Sequence, residues 1–304
     1  MAKFCEYRDL FKWNKQLMED DWNDGQAYVF KLTSKNGGDE FTSTAKIGEA
    51  KSAAHKIALE QKIKNVAKDT AFGTFDCETK VKNSGEIALD MKHNYLQQFE
   101  GCDAVRLLYK QSINKSQTPA QFGFSYMNDT IKFDNYVEAS GTHGWVTNFT
   151  WRCTDSMIFG GTKTWKNIAD PMNNVKWGCG LTGHFDKTLH WGVGFNGKSP
   201  SIEKTALDKA TLYFKKEGAS KTVGAEMNYD MGKKAFDCKV GLELKQSDHT
   251  WKLRLHDSGL ARAALQWQLH KVCKATVDTS VDVKQALGGS ITSLPLGFSF
   301  DVKY

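Results

Sequence analysis

The sequence predicts an all-β protein, a transmembrane β-barrel of about 19 strands preceded by a short N-terminal amphipathic helix. Three observations predict it. The last run, Leu294 to Tyr304, places Leu296, Phe298, Phe300, Val302 and Tyr304 on every second position, with Gly297, Ser299, Asp301 and Lys303 between them. Successive side chains of a strand point to opposite faces, so this strand has one apolar and one polar face. The same two-faced writing recurs along most of the chain. No window approaches the run of about 18 uncharged apolar residues that a transmembrane helix needs, which excludes a helical membrane protein and leaves a barrel open.

The elements follow in order. From Tyr7 to Trp22, Leu10, Trp13 or Asn14, Leu17 and Met18 recur at helical spacing and Asp9 stands at the start, which predicts a helix over Tyr7–Glu19. Gly25 then opens the first strand, near Ala27–Leu32. Clean alternations follow at Ile87/Leu89/Met91, Trp177/Cys179/Leu181, Leu189/Trp191/Val193/Phe195, Trp251/Leu253/Leu255 and Leu265/Trp267/Leu269. Turn signals separate such runs at Lys35–Gly38, Lys82–Gly85, Met127–Asp129, Gly218, Asp257–Gly259 and Gly288–Ser290. About nineteen runs share about 280 residues, or about 15 per strand and turn, enough for the 9–11 residues of a spanning strand. The organisation is an N-terminal helix and linker over 1–25 and a barrel over 26–304.

Composition agrees. Hydrophobic residues are 40% of 304, Gly outnumbers Pro by 26 to 4, and mean hydropathy is −0.51. The net charge of +6 comes from Lys and Arg spread over alternate strand positions. That suits a lumen attractive to anions and disfavours nucleic acid, which calls for a clustered patch. Seven scattered Cys form no CxxC and no metal spacing, and read as reduced thiols. The opening residues read as neither a secretory signal nor a cleavable presequence.

Three stretches together resemble the mitochondrial porin family, the voltage-dependent anion channels. Tyr7-Arg-Asp-Leu-Phe-Lys12 is similar to the family's opening and leads to Lys31–Lys35, Gly38 and Glu40–Ser43. Gly85–Leu89, with Leu96 and Val105–Leu108, is similar to its fifth and sixth strands. Phe236 to Phe300 keeps Lys239-Val240, Asp257-Ser-Gly-Leu260 and Leu296-Gly-Phe-Ser-Phe300 in the family's order. The resemblance implies nineteen strands in the mitochondrial outer membrane, a helix inside the lumen, and passive, voltage-gated diffusion of small ions and of anionic metabolites such as ATP, ADP and phosphate. Permeants and membrane lipid are the implied partners, with a homo-oligomer or larger membrane complex open; no cofactor, metal or nucleic acid is implied.

The same resemblance carries Lys12 and Lys15 over as phosphate contacts on the helix, and Gly297, Phe298 and Phe300 as the insertion signal. Lys92, Lys252, Arg254 and His256 stand on polar strand faces and are expected to line the pore. Gly25 is the one glycine left at the hinge, behind Glu19, Asp20, Asp21 and Asp24, and Pro295 stands where the family has a polar residue. Both Cys77 and Glu78 lie near the family's lipid-facing acid, and the sequence leaves the choice open. The acidic link, with Trp13 and Trp22, also suits a divergent barrel serving as a non-conducting accessory subunit. An import pore and a soluble all-β binding protein are further alternatives.

Two other patterns are weighed against this. Gly192–Ser199 satisfies GxxxxGK[ST], but the alternation of Leu189 and Trp191 continues through Val193 and Phe195, so a hairpin turn is expected in place of a phosphate loop. His256, Asp257 and Ser258 are adjacent in the chain, which suits a turn and not a catalytic triad. No enzyme is expected.

Overall fold

A computed structural model describes residues 7–18, 26–48, 56–70, 73–100, 104–113, 118–139, 143–167, 175–201, 204–289 and 295–304. Among these, nineteen strands form one closed sheet. The first nine are β1 (Gln26–Asn36), β2 (Asp39–Gly48), β3 (Lys56–Thr70), β4 (Gly73–Lys82), β5 (Ile87–His93), β6 (Val105–Ile113), β7 (Thr118–Met127), β8 (Ile131–Glu138) and β9 (Trp145–Thr154). They continue as β10 (Met157–Trp165), β11 (Val175–His184), β12 (Leu189–Ser201), β13 (Lys204–Glu217), β14 (Lys221–Asp230) and β15 (Ala235–Lys245). The last are β16 (His249–His256), β17 (Leu260–His270), β18 (Cys273–Asp282) and β19 (Leu296–Lys303).

Each strand pairs antiparallel with the next, and β1 closes on β19 in parallel. The parallel seam is forced by the count: in an odd series of alternating strands the first and last run the same way. Its register sets Tyr28 beside Phe298 and Phe30 beside Phe300, and the rings stack at 5.9 and 5.7 Å. Of the expected insertion residues, Phe298 and Phe300 thus stand on the outer face at the seam, while Gly297 faces inward opposite Asp278. Pro295 lies just before β19, its carbonyl accepting from Thr279 at 2.9 Å, where its missing N–H breaks no ladder bond.

The turns follow from their glycines. Gly37, Gly85, Gly259 and Gly289 have φ of +60°, +83°, +95° and +70°, the left-handed region in which a side chain is disfavoured. All four lie in turns marked by the sequence.

The faces are distributed inside out relative to a water-soluble barrel. Phe30, Phe122, Trp151 and Leu253 stand mid-strand yet are 47%, 53%, 48% and 45% exposed, all on the outer face. Thr33, Thr42, Thr150, Thr211, Asn228 and Lys252 are buried on the inner face. Apolar burial is concentrated instead at Leu10, Leu17 and Met18, where the N-terminal segment meets the wall.

The structure adjusts several expectations. The N-terminal segment is a 3-10 turn, Tyr7–Asp9, followed by a helix α1 over Lys12–Met18, shorter than Tyr7–Glu19; Glu19 lies outside the described residues. The first strand runs past Leu32 to Asn36. Gly192–Ser199 is neither a phosphate loop nor a turn but the interior of β12. A second helix α2, Val283–Leu287, was not expected; Asp282 caps it by accepting from the backbone N–H of Lys284 at 2.9 Å and of Gln285 at 3.3 Å.

Candidate functional site: the lumen wall and the helix seated on it

Seven residues of α-helix are too few to persist alone in water, so α1 owes its conformation to its seat. That seat is made of glycines on the inward face of β10–β12, β14 and β15. A Cβ added at Gly178 would stand 2.6 Å from the Tyr7 hydroxyl, and one at Gly180 would stand 2.6 Å from Phe11 Cζ. Additions at Gly192 and Gly224 would meet Phe11 at 2.8 Å and Leu17 at 2.7 Å. Side chains of the segment therefore occupy the volume that larger residues would fill. Phe11 also stacks on Tyr213 of β13, ring centroids 4.4 Å apart.

Polar contacts fix the segment on this floor. Trp13 donates its indole N–H to Thr182 Oγ1 at 3.0 Å, and that hydroxyl donates to the Trp191 carbonyl at 3.0 Å. Lys215 donates from Nζ to the Trp13 carbonyl at 3.0 Å and pairs with Glu217 at 2.6 Å. Arg254 donates from Nη1 to the Met18 carbonyl at the helix C-terminus. A cation there satisfies an orphan carbonyl and opposes the negative end of the helix dipole. Burial pushes the Tyr7 phenol up to about 12, with a smaller contribution from Cys179. One group is left over: Asn14 is fully buried and neither atom of its amide has a hydrogen-bond partner.

The wall formed by β3–β7 carries the charge. A cavity of about 580 Å³ is lined there by Lys64, Lys80, Lys92 and Lys110 and by Asp76, Glu78 and Asp90, four cations against three carboxylates. The groups interleave: Glu78 pairs with Lys62 at 2.9 Å and Lys80 at 3.1 Å, Arg106 with Asp76 at 3.7 Å, and Lys110 with Asp90 at 3.9 Å. Glu78 thus faces the lumen, and Cys77, on the opposite face of β4, sits beside Met91.

The remaining expected residues fall as follows. Lys12 begins α1, exposed and 4.0 Å from Asp9. Lys15 lies within α1, its side chain outside the described residues, and Gly25 lies outside them altogether. Lys92 is paired in register with Asp76 and lines the cavity. Lys252, Arg254 and His256 do share the inner face of β16, but each is engaged. Lys252 is buried 3.5 Å from Glu243, and Arg254 holds the helix end. His256 has Asp237 at Nε2, and Asp257 at 3.1 Å and Ser258 at 2.7 Å at Nδ1. The two carboxylates stand on different ring nitrogens of the one imidazole, and the Ser258 backbone N–H also donates to Nδ1 at 3.1 Å. Sequence reasoning missed the glycine floor. Its signal was the repetition Gly178-x-Gly180 and Gly192-x-Gly194 at the polar positions of successive strands.

No family model and no curated protein matches the chain. Among solved structures it is similar to variants of the porin of Rhodopseudomonas blastica. One aligns at 9% identity over 81% of this chain and 95% of that chain, with a TM-score of 0.49. Another, a triple mutant, aligns at 9% identity over 87% and 98%, with a TM-score of 0.49.

Proposed function

We propose that this chain is a membrane channel of the mitochondrial porin kind, which lets small ions and anionic metabolites such as ATP, ADP and phosphate diffuse passively across the mitochondrial outer membrane. The observation that carries the reading is the assignment of faces: apolar outside, charged inside, with the helix against β13–β15 and a cavity along β3–β7. An apolar exterior is made for lipid, and a charged interior for water and solutes. Four cations against three carboxylates give the open wall a slight positive balance, so anion preference is modest and ions keep their hydration. Voltage gating belongs to this reading through the resemblance of Tyr7–Lys12. No catalytic group or cofactor enters it.

The test is a planar bilayer held under a KCl gradient. Large conductance steps with an anion-biased reversal potential, closing at both voltage signs, support the proposal.

A second reading has its own observation in its favour. The helix is held by Trp13, Lys215, Arg254 and a floor of glycines, as suits a fixed plug in an accessory subunit of a larger membrane complex. Insertion into the bilayer without current selects that reading.

A further inference from the structure

A polar row interrupts the apolar exterior on β8–β10. Asn135 on β8, Thr147 on β9 and Lys163 on β10 are register partners in a single row across three strands. They share the outer face with Phe133, Phe149 and Phe159 of the same strands. The adjacent row, nearer the strand ends, holds Trp145 and Trp165, whose rings stack at 4.9 Å. Lys163 Nζ lies 4.7 Å from the Trp165 ring centroid. The Trp145 indole N–H donates to Asn135 Oδ1, and Thr147 Oγ1 donates to the same oxygen at 3.4 Å. Among the described residues, no carboxylate pairs with Lys163 and no acceptor takes the Asn135 amide N–H groups.

An ammonium on the lipid-facing side of a barrel is unfavourable at the bilayer centre and tolerated near the interface, the level that tryptophans mark. Beside Trp145 and Trp165, Lys163 therefore stands where lipid phosphates are. The row offers a cation and a free amide donor, with no carboxylate to repel an anion, next to two flat rings able to pack against glycerol and upper acyl carbons. We propose that this row binds the headgroup of an anionic phospholipid, with Lys163 meeting the phosphate and the Asn135 amide donating to a neighbouring oxygen. The inference rests on the membrane reading above and adds a specific lipid site to it.

The test uses the full chain in phosphatidylcholine vesicles that contain either brominated phosphatidylglycerol or brominated phosphatidylcholine at equal mole fraction. Bromine quenches nearby tryptophan. The signal of this site is the difference between the native chain and a variant carrying Trp145→Phe and Trp165→Phe. The expected result is about fivefold enrichment of the anionic lipid, the ratio that one cation at a membrane surface supplies. Lys163→Gln abolishes the preference and Lys163→Arg retains it. Equal quenching by both lipids, or a preference unchanged in Lys163→Gln, overturns the proposal. So does its loss on adding inorganic phosphate, which would mark a site for a free anion. Absence of quenching by either lipid is a different failure, that of the membrane reading itself.

Discussion

Lys215 Nζ and the backbone carbonyl of Trp13 are joined at 3.0 Å across 202 residues of chain. One cation on the inner face of β13 thereby holds the first turn of the N-terminal helix, while its neighbour Glu217, 2.6 Å away, balances its charge. The lysine side chain is only 10% exposed, so water competes weakly for the bond. A charged hydrogen bond of this kind contributes about 1.5–3 kcal/mol. Lys215→Met therefore releases the segment about tenfold or more often. Limited proteolysis of the reconstituted barrel reads this as faster cleavage near residues 10–20, with the strands still protected. An unchanged cleavage rate would mean that the glycine floor holds the helix without the lysine.

The floor is tested separately by Gly180→Val. Valine favours strands, and the Val193 carbonyl of β12, 3.0 Å from the added carbon, has to give by only a few tenths of an ångström. Its first carbon, however, falls 2.6 Å from Phe11 Cζ, closer than two carbons approach. The expected outcome is a folded barrel with the helix displaced: far-ultraviolet circular dichroism stays strand-like while Trp13 fluorescence shifts red. Gly232→Ala, at a turn where the nearest atom is 3.4 Å away, leaves both signals in place.

These two contacts show what the sequence does and does not make legible. Alternation at Trp251, Leu253 and Leu255 reveals a strand and its lipid-side face because period two is a local property of the chain. The glycines of the Asn36-Gly37 and Ser84-Gly85 turns are legible for the same reason. The seat of α1 is not local. Gly178 and Gly180 are ordinary polar-face glycines until the register with Gly192 and Gly194 on β12, and the arrival of Phe11, give them a common task. Pairing is hidden in the same way: Lys252, Arg254 and His256 are visibly basic and on one face, but their partners Glu243, Met18 and Asp237 come from other elements.

Tyr7 predicts how docking depends on pH. Burial raises its phenol to about 12, whereas an unburied tyrosine ionises near 10. The docked state thus favours the protonated form. Its contribution is complete below about pH 10 and is lost as the pH rises toward about 12. Alkaline titration followed by protease sensitivity of the N-terminal segment is expected to show release over that window, and Tyr7→Phe is expected to remove the response. Release at the same pH in Tyr7→Phe would assign it to another group.

Selectivity separates the two walls of the lumen. Lys80 lines the open cavity on β4 and its side chain is 41% exposed, so its charge is felt by passing ions. Lys252 is 4% exposed beside Glu243, which Lys245 also approaches at 3.0 Å. On the channel reading, Lys80→Glu changes the open wall from four cations against three carboxylates to three against four, and the reversal potential under a salt gradient moves toward cation preference. Lys252→Gln removes a charge already cancelled at short range and leaves the reversal potential within error, at some cost in barrel stability, since Glu243 loses one of its two cations. The two variants must be compared at low salt, because above about 0.1 M ionic strength screening over about 10 Å flattens any difference. If Lys252→Gln shifts the potential as far as Lys80→Glu does, ions pass along the helix-bearing wall, and the cavity beside β3–β7 is not the path.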